Sequence, residues 1–193
     1  AKLQWPSYHS VSGENAWVVM ALLHVAQAQK EAGTDNSKNL EAAKMLMDQG
    51  LLELQADNGG IRYAPRGTYQ GRPDSDRYDP YIASAEWSAG AVEALLKLSE
   101  RLKDSNPEKS KQLFERARQI YAGLQAMKIK NADGSAALPY ASKRSFIPFL
   151  WFAPPNYVRS LASTSWFDYI HQGLDPSGLN AKMPRARELV DAP

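Results

Sequence analysis

The chain contains no cysteine, which excludes disulfide staples, thiolate nucleophiles and cysteine-ligated metals. Histidine is scarce. His9, His24 and His171 stand far apart without His-x-x-x-His spacing, so no zinc site is expected. His24, inside an apolar helix, reads as a hydrogen-bonded core residue. The net charge is only +2, with no Lys/Arg cluster interleaved with aromatics, so no nucleic-acid partner is expected. No run of about 18 apolar residues is present, hence no membrane span. Gly59-Gly60 has no following Gly-Lys-Ser/Thr, and Ser163-Thr164-Ser165 lacks the Gly-x-Ser-x-Gly elbow of a hydrolase nucleophile. Those hydroxyls read as helix-start or ligand-bonding groups. Residues 1–13 lack the charged-then-apolar pattern of a secretory signal. The lack of cysteine suits an exported protein slightly better and a cytosolic one almost as well. No cofactor is expected.

What is present is a repeat. Val19-Met20-Ala21-Leu22-Leu23 returns 73 residues later as Val92-Glu93-Ala94-Leu95-Leu96. Gly59-Gly60-Ile61-Arg62-Tyr63-Ala64 returns as Gly134-Ser135-Ala136-Ala137-Leu138-Pro139-Tyr140-Ala141. Apolar helix, second helix, Gly-turn and Tyr-Ala in the same order twice describe stacked helical hairpins. The length of 193 residues suits one domain or a large part of one.

The periodicity predicts five main helices. Residues 14–32 are apolar nearly all round, as in a helix buried on every side, with Ser12 as N-cap and Gly33 as the stop. Residues 37–55 carry a single stripe (Leu40, Ala43, Met47, Leu51, Leu54) and a charged face. A third helix, from Asp79-Pro80 to about Lys103, is again apolar on most sides. A fourth, at 107–128, is again one-sided, and a fifth spans 160–173. Leu179 to Val190 could add a short partner. The prolines of Phe146 to Pro155 rule out a regular helix there; that stretch reads as a buried loop or, in the alternative, as a partner surface.

Alternating two-sided and one-sided helices predict an all-α fold: an (α/α) toroid of helical hairpins with inner and outer helices, incomplete or a half barrel. Five or six helices do not close a ring, so one inner face is expected to want a partner, either a second copy or the rest of a larger barrel.

In a toroid the loops before the inner helices gather on one rim. Here that rim holds Trp17, Arg62, Tyr63, Tyr78, Asp79, Trp87, Tyr140 and Trp166, the rings and polar groups that stack on and hydrogen-bond to sugars. Each inner helix has a Trp near its start, which reads equally as a plug for the ring centre. Glu14 and Glu86 are the acid–base candidates, because glycoside cleavage uses two carboxyls. Two considerations oppose them. A Glu in a first helical turn needs no function, and the Val-x-Ala-Leu-Leu alignment sets Glu14 opposite Trp87 rather than Glu86. Asp79 reads first as an N-cap.

Ser12-Gly13-Glu14-Asn15-Ala16-Trp17, Asn58-Gly59-Gly60-Ile61-Arg62-Tyr63-Ala64, and Ala162-Ser163-Thr164-Ser165-Trp166-Phe167 with Gly173-Leu174-Asp175-Pro176 after it resemble bacterial (α/α)-toroid proteins of carbohydrate metabolism, glycoside hydrolase-like. The resemblance covers about residues 5–178. It implies a carbohydrate-type cleft at the inner-helix rim, taking an oligo- or polysaccharide, and identifies no catalytic pair. Two rival readings stand beside the hydrolase: a non-catalytic helical-repeat module that binds a glycan or protein, and a toroid of the isoprenoid-handling kind. The last needs an acid cluster or metal site that the sequence does not offer.

Overall fold

The computed structural model describes residues 12–63, 82–147, 151–153, 155–175, 183 and 185–191, with the backbone alone at 145–147 and 151–153. The protein is mostly helical. Helix α1 spans Ser12–Glu31, α2 Ser37–Leu46, α3 Ala85–Leu102, α4 Pro107–Ala126, α5 Leu161–Gln172 and α6 Ala186–Val190. Two small antiparallel hairpins complete the described chain: β1 (Ile129–Lys130) with β2 (Ala136–Ala137), and β3 (Ser145–Ile147) with β4 (Trp151–Ala153).

Helix α3 is the centre of the molecule. It packs on α1, α4 and α5, while α2 lies against α1 and α6 against α5 and α4. The helices therefore form two layers, with α1, α3 and α5 in one and α2, α4 and α6 behind. Every residue from Ala91 to Ser99 is buried, so α3 is covered on all sides as its composition predicts. Helix α1 is not, which corrects the expectation that it is buried all round. Trp17 is 52% exposed, Val18 48% and Val25 49%. Among the described helices of its layer, α1 has a neighbour on one flank, α3.

Helix ends follow local chemistry. The Ser84 hydroxyl accepts from the Trp87 amide, so α3 begins at Ala85 rather than at Asp79-Pro80, residues that lie outside the described ones. Asn106 caps α4 with Pro107 in its first turn, and Ser160 caps α5. Gly173, at φ 72°, closes α5 in the left-handed region where a side chain is strained.

Helix α2 is shorter than its stripe predicts. From Met47 to Leu51 it widens into a π turn, followed by a 3-10 turn at Leu52–Leu54. Asn15 of α1 donates its side-chain amide to the Gly50 carbonyl at 3.0 Å. A side chain drawn into the ladder in this way is a recognised cause of such a bulge. Within the stretch whose prolines bar a regular helix, the described residues 146–147 and 151–153 lie in the paired strands β3 and β4.

The repeat is real at the level of hydrogen bonds. The turns Ala56–Gly60 and Asn131–Ser135 have the same geometry, with Gly59 and Gly134 both at φ 85°. In each, an Asx side chain (Asn58, Asp133) accepts from the amide two residues on. The Ile61 amide donates to Ser88 Oγ, which donates to the Ser84 carbonyl. Likewise the Leu138 amide donates to Thr164 Oγ1, which donates to the Ser160 carbonyl. Ser12 and Ala85, the first residues of α1 and α3, donate their amides to the carbonyls of Tyr63 and Tyr140. These pairs set the register: Ser12 is equivalent to Ala85, and Ser88 to Thr164.

Candidate functional site

The extended segments 61–63 and 138–141 cross the N-terminal ends of the first-layer helices. They are held there by the backbone bridges Arg62–Ala83, Ser84–Ala141 and Pro139–Arg159. This placement delivers Tyr63 and Tyr140 to the start of α3. Their hydroxyls lie 3.4 Å apart, and the Tyr63 ring meets the Trp87 ring at 3.9 Å between centroids. Gly13 underlies the same indole: a Cβ there would fall 2.6 Å from Trp87 Nε1. The Ser-Gly-Glu opening of α1 is thus a seat for Trp87.

Glu86 sits beside these rings. Burial pushes its carboxyl above the usual carboxylate range, and among the described residues no hydrogen bond or ion pair reaches it. Burial also raises the Tyr140 phenol. The Tyr63 hydrogen bond offsets that in part, and the Glu86 charge adds to it. Glu86, Tyr63, Trp87 and Tyr140 therefore form one electrostatically connected group with an aromatic wall. Arg62, half-buried, is positioned next to it by its pairing with Ala83.

Glu14 differs from Glu86 in kind. It is exposed in the first turn of α1 and makes no hydrogen bond or ion pair among the described residues. The register places it level with Trp87, and places Gly13 level with Glu86, so the two glutamates are not equivalent. Tyr78 and Asp79 lie outside the described residues.

The tryptophans near the starts of α1, α3 and α5 separate into a pair and an outlier. Trp17 and Trp166 share one register position, occupied in α3 by Gly90. Their rings meet edge to face, with centroids 5.3 Å apart. Glycine at the middle position leaves α3 bare where its two neighbours extend indoles. Trp87, one turn earlier, belongs to the Tyr63–Tyr140 group.

A second polar group was not anticipated from sequence. Lys97 Nζ lies 3.1 Å from Glu93 Oε1, 2.8 Å from Asp175 Oδ1 and 3.2 Å from His24 Nε2. Glu93 is wholly buried and Lys97 nearly so. Burial, and next the Lys97 charge, hold His24 below its usual pKa. His24 is thus hydrogen-bonded as expected, but it is half-buried at the edge of the core and not a core residue. Glu86, Gly90, Glu93 and Lys97 follow at helical spacing along one stripe of α3, so this cluster lies on the same stripe as the rim, further along the helix. The signal was legible: two charges four residues apart in an otherwise apolar helix. Asp175, beyond α5, carried no such signal.

Among the described residues, no group of His, Asp and Glu side chains has the arrangement of a metal site, and no helix is long and apolar enough to cross a membrane. Two grooves lie away from the rim, one beside Asp48, Lys109 and Arg116, the other beside Met127, Pro139 and Tyr157. Neither is lined by Glu86, Tyr63 or Trp87. The rim is the better candidate because, among the described residues, it combines a desolvated carboxyl with packed aromatic rings. Comparison with family models, with curated proteins and with solved structures finds no match.

Proposed function

We propose that the protein is a carbohydrate-active, (α/α)-toroid-type hydrolase that binds an oligo- or polysaccharide against Tyr63, Trp87 and Tyr140, with Glu86 as its general acid. The observation that carries this reading is the environment of Glu86. A carboxyl whose proton burial holds more tightly than in water, next to aromatic rings, suits delivery of a proton to a glycosidic oxygen. The half-buried rings of Trp87 and Tyr140 offer apolar surface to sugar C–H groups, with buried Tyr63 backing them, and Arg62 offers donors to hydroxyls. Trp17 and Trp166 extend the aromatic surface towards α1 and α5. Two hairpins repeating in register, and a third helix capped in the same way, support the toroid reading of the two layers.

A second reading, a glycan-binding module without turnover, is favoured by one observation. Glu14 is exposed, and no second carboxylate is bonded to the Glu86 group among the described residues. Reducing-sugar release from a polysaccharide panel, run beside calorimetric binding, separates the two. Under the hydrolase reading, Glu86→Gln lowers turnover by about 10²–10⁴-fold with binding retained, and Trp87→Ala weakens binding itself. Binding that survives Glu86→Gln with no turnover in either protein supports the module. No binding to any glycan refutes both.

A further inference from the structure

One contact in the fold is built like a ligand site, although its occupant belongs to the chain. Ser99, near the end of α3, and Ser110, near the start of α4, are buried opposite one another. The Ser99 hydroxyl donates to the Ser110 carbonyl at 2.9 Å, and the Ser110 hydroxyl donates to the Ser99 carbonyl at 2.7 Å. A hydroxyl has one proton to give, so both are committed. The two oxygens, 3.2 Å apart, keep only lone pairs. Such a pair calls for a group that donates without accepting, and a cation does so most strongly. The half-buried Phe114 ring, one turn further along α4, walls the slot and favours a flat cation.

The occupant is Arg185. Its Nη1 donates to both hydroxyl oxygens, and its Cζ lies 4.2 Å from the Phe114 ring centroid. Its Nη2 pairs with Glu188 Oε2 at 3.0 Å. The backbone is strained at this point. Among the described residues, Arg185, at φ 62°, is the one non-glycine in the left-handed region, and strain of that kind persists where surrounding contacts hold it. The helix it opens, α6, has five residues, too few to be stable alone.

We infer that Ser99, Ser110 and Phe114 form a guanidinium-binding slot, with Arg185 as its tethered ligand and α6 as the strap this ligand holds down. The slot is built by the α3–α4 hairpin, and its serine pair is bonded within that hairpin. Vacated by Arg185, it takes a free guanidinium compound in its place. An ammonium fits less well, because it has no flat face to lay on Phe114. The inference is independent of the carbohydrate reading of the rim, which uses none of these residues.

Amide NMR of Arg185→Ala tests it. Alanine keeps a β-carbon at φ 62°, so the backbone strain stays and only the ligand is removed. Methylguanidinium should shift the Ser99, Ser110 and Phe114 signals of this variant with a Kd of about 1–50 mM, the range open to so small a ligand. Methylammonium should bind at least about tenfold more weakly, and the unaltered protein, its slot filled, should respond to neither. Hydrogen exchange reads the strap. The amides of Leu189 and Asp191, bonded to the Arg185 and Arg187 carbonyls, should exchange at least about tenfold faster in Arg185→Ala. Phe114→Leu, with Arg185 in place, tests the same slot if Arg185→Ala does not fold, and should speed those amides by about two- to fivefold. Absence of any methylguanidinium shift in folded Arg185→Ala up to about 100 mM overturns the slot. So does an equal response from the unaltered protein, and so does α6 exchange that neither substitution changes.

Discussion

Alanine at position 13 and alanine at position 90 make the same chemical change in two helices, and should move stability in opposite directions. Replacing glycine inside a helix recovers about 0.5–1 kcal/mol of backbone entropy, so absent other effects both variants gain. At Gly90 the added Cβ meets nothing nearer than the Ala16 Cβ at 3.8 Å, an ordinary contact. Most of the gain should survive. At Gly13 the same atom falls 2.6, 2.7 and 2.8 Å from three atoms of the Trp87 indole, a ring already in contact with Tyr63. Overpacking of that kind costs about 1–3 kcal/mol. The net expectation is a loss of about 1–2 kcal/mol for Gly13→Ala, against a gain of up to about 1 kcal/mol for Gly90→Ala. For a domain of this size each kcal/mol moves the melting midpoint by about 2–4 °C. Urea and thermal denaturation followed by circular dichroism read both. Gly13→Ala should also loosen the aromatic group, so its glycan affinity falls while that of Gly90→Ala does not. If the two variants shift stability in the same direction, Trp87 is not seated on Gly13.

Glu86→Gln should stabilise the protein increasingly as pH rises. The folded carboxyl titrates above the value of 4.5 typical of a free glutamate, so its contribution is intact below that pH and is lost as pH climbs through the folded value. Urea midpoints of the two proteins between pH 4 and 8 should therefore diverge upward, and parallel curves would deny the desolvation of Glu86. Lys97→Met removes the cation between Glu93 and Asp175 and leaves buried carboxylates, at a cost of about 3–5 kcal/mol in a denaturant titration. A loss under 1 kcal/mol would mean the cluster is hydrated. Gly59→Ala and Gly134→Ala impose the same left-handed strain, at φ 85° in both turns, of about 1 kcal/mol. Only the first also drives a Cβ to 2.4 Å from the Gln119 carbonyl oxygen. Gly59→Ala should thus be clearly the more destabilising in the same titration, and equal losses would refute the docking of that turn on α4.

Much of the rim could be read in advance, because its residues adjoin short local signals. Glu86 and Trp87 lie three residues or fewer from the Ser84 cap, while Tyr63 and Tyr140 each follow a turn whose glycine is required by its φ. Glu93 and Lys97 stood in plain view as charges in an apolar helix, but their partners come from α1 and from beyond α5, and no spacing along the chain links them. The Val-x-Ala-Leu-Leu alignment already sets Trp17 level with Gly90, whereas Trp166 joins them only through the hydrogen bonds that match Thr164 to Ser88.

By itself the sequence determined which segments are helical, the glycines of the turns and the order of the repeat. These depend on backbone propensities and on hydrogen bonds that reach only a few residues along the chain. The exclusion of thiolate chemistry, with no cysteine in the chain, was likewise settled by composition. Tertiary structure alone decided which apolar helix is covered on all sides. α1 and α3 are similarly apolar, yet α3 has neighbours on both flanks and α1 on one. It also decided that Glu86 is desolvated while Glu14 is exposed. Burial depends on what lies opposite a side chain, and what lies opposite is brought there by packing between segments remote in the chain.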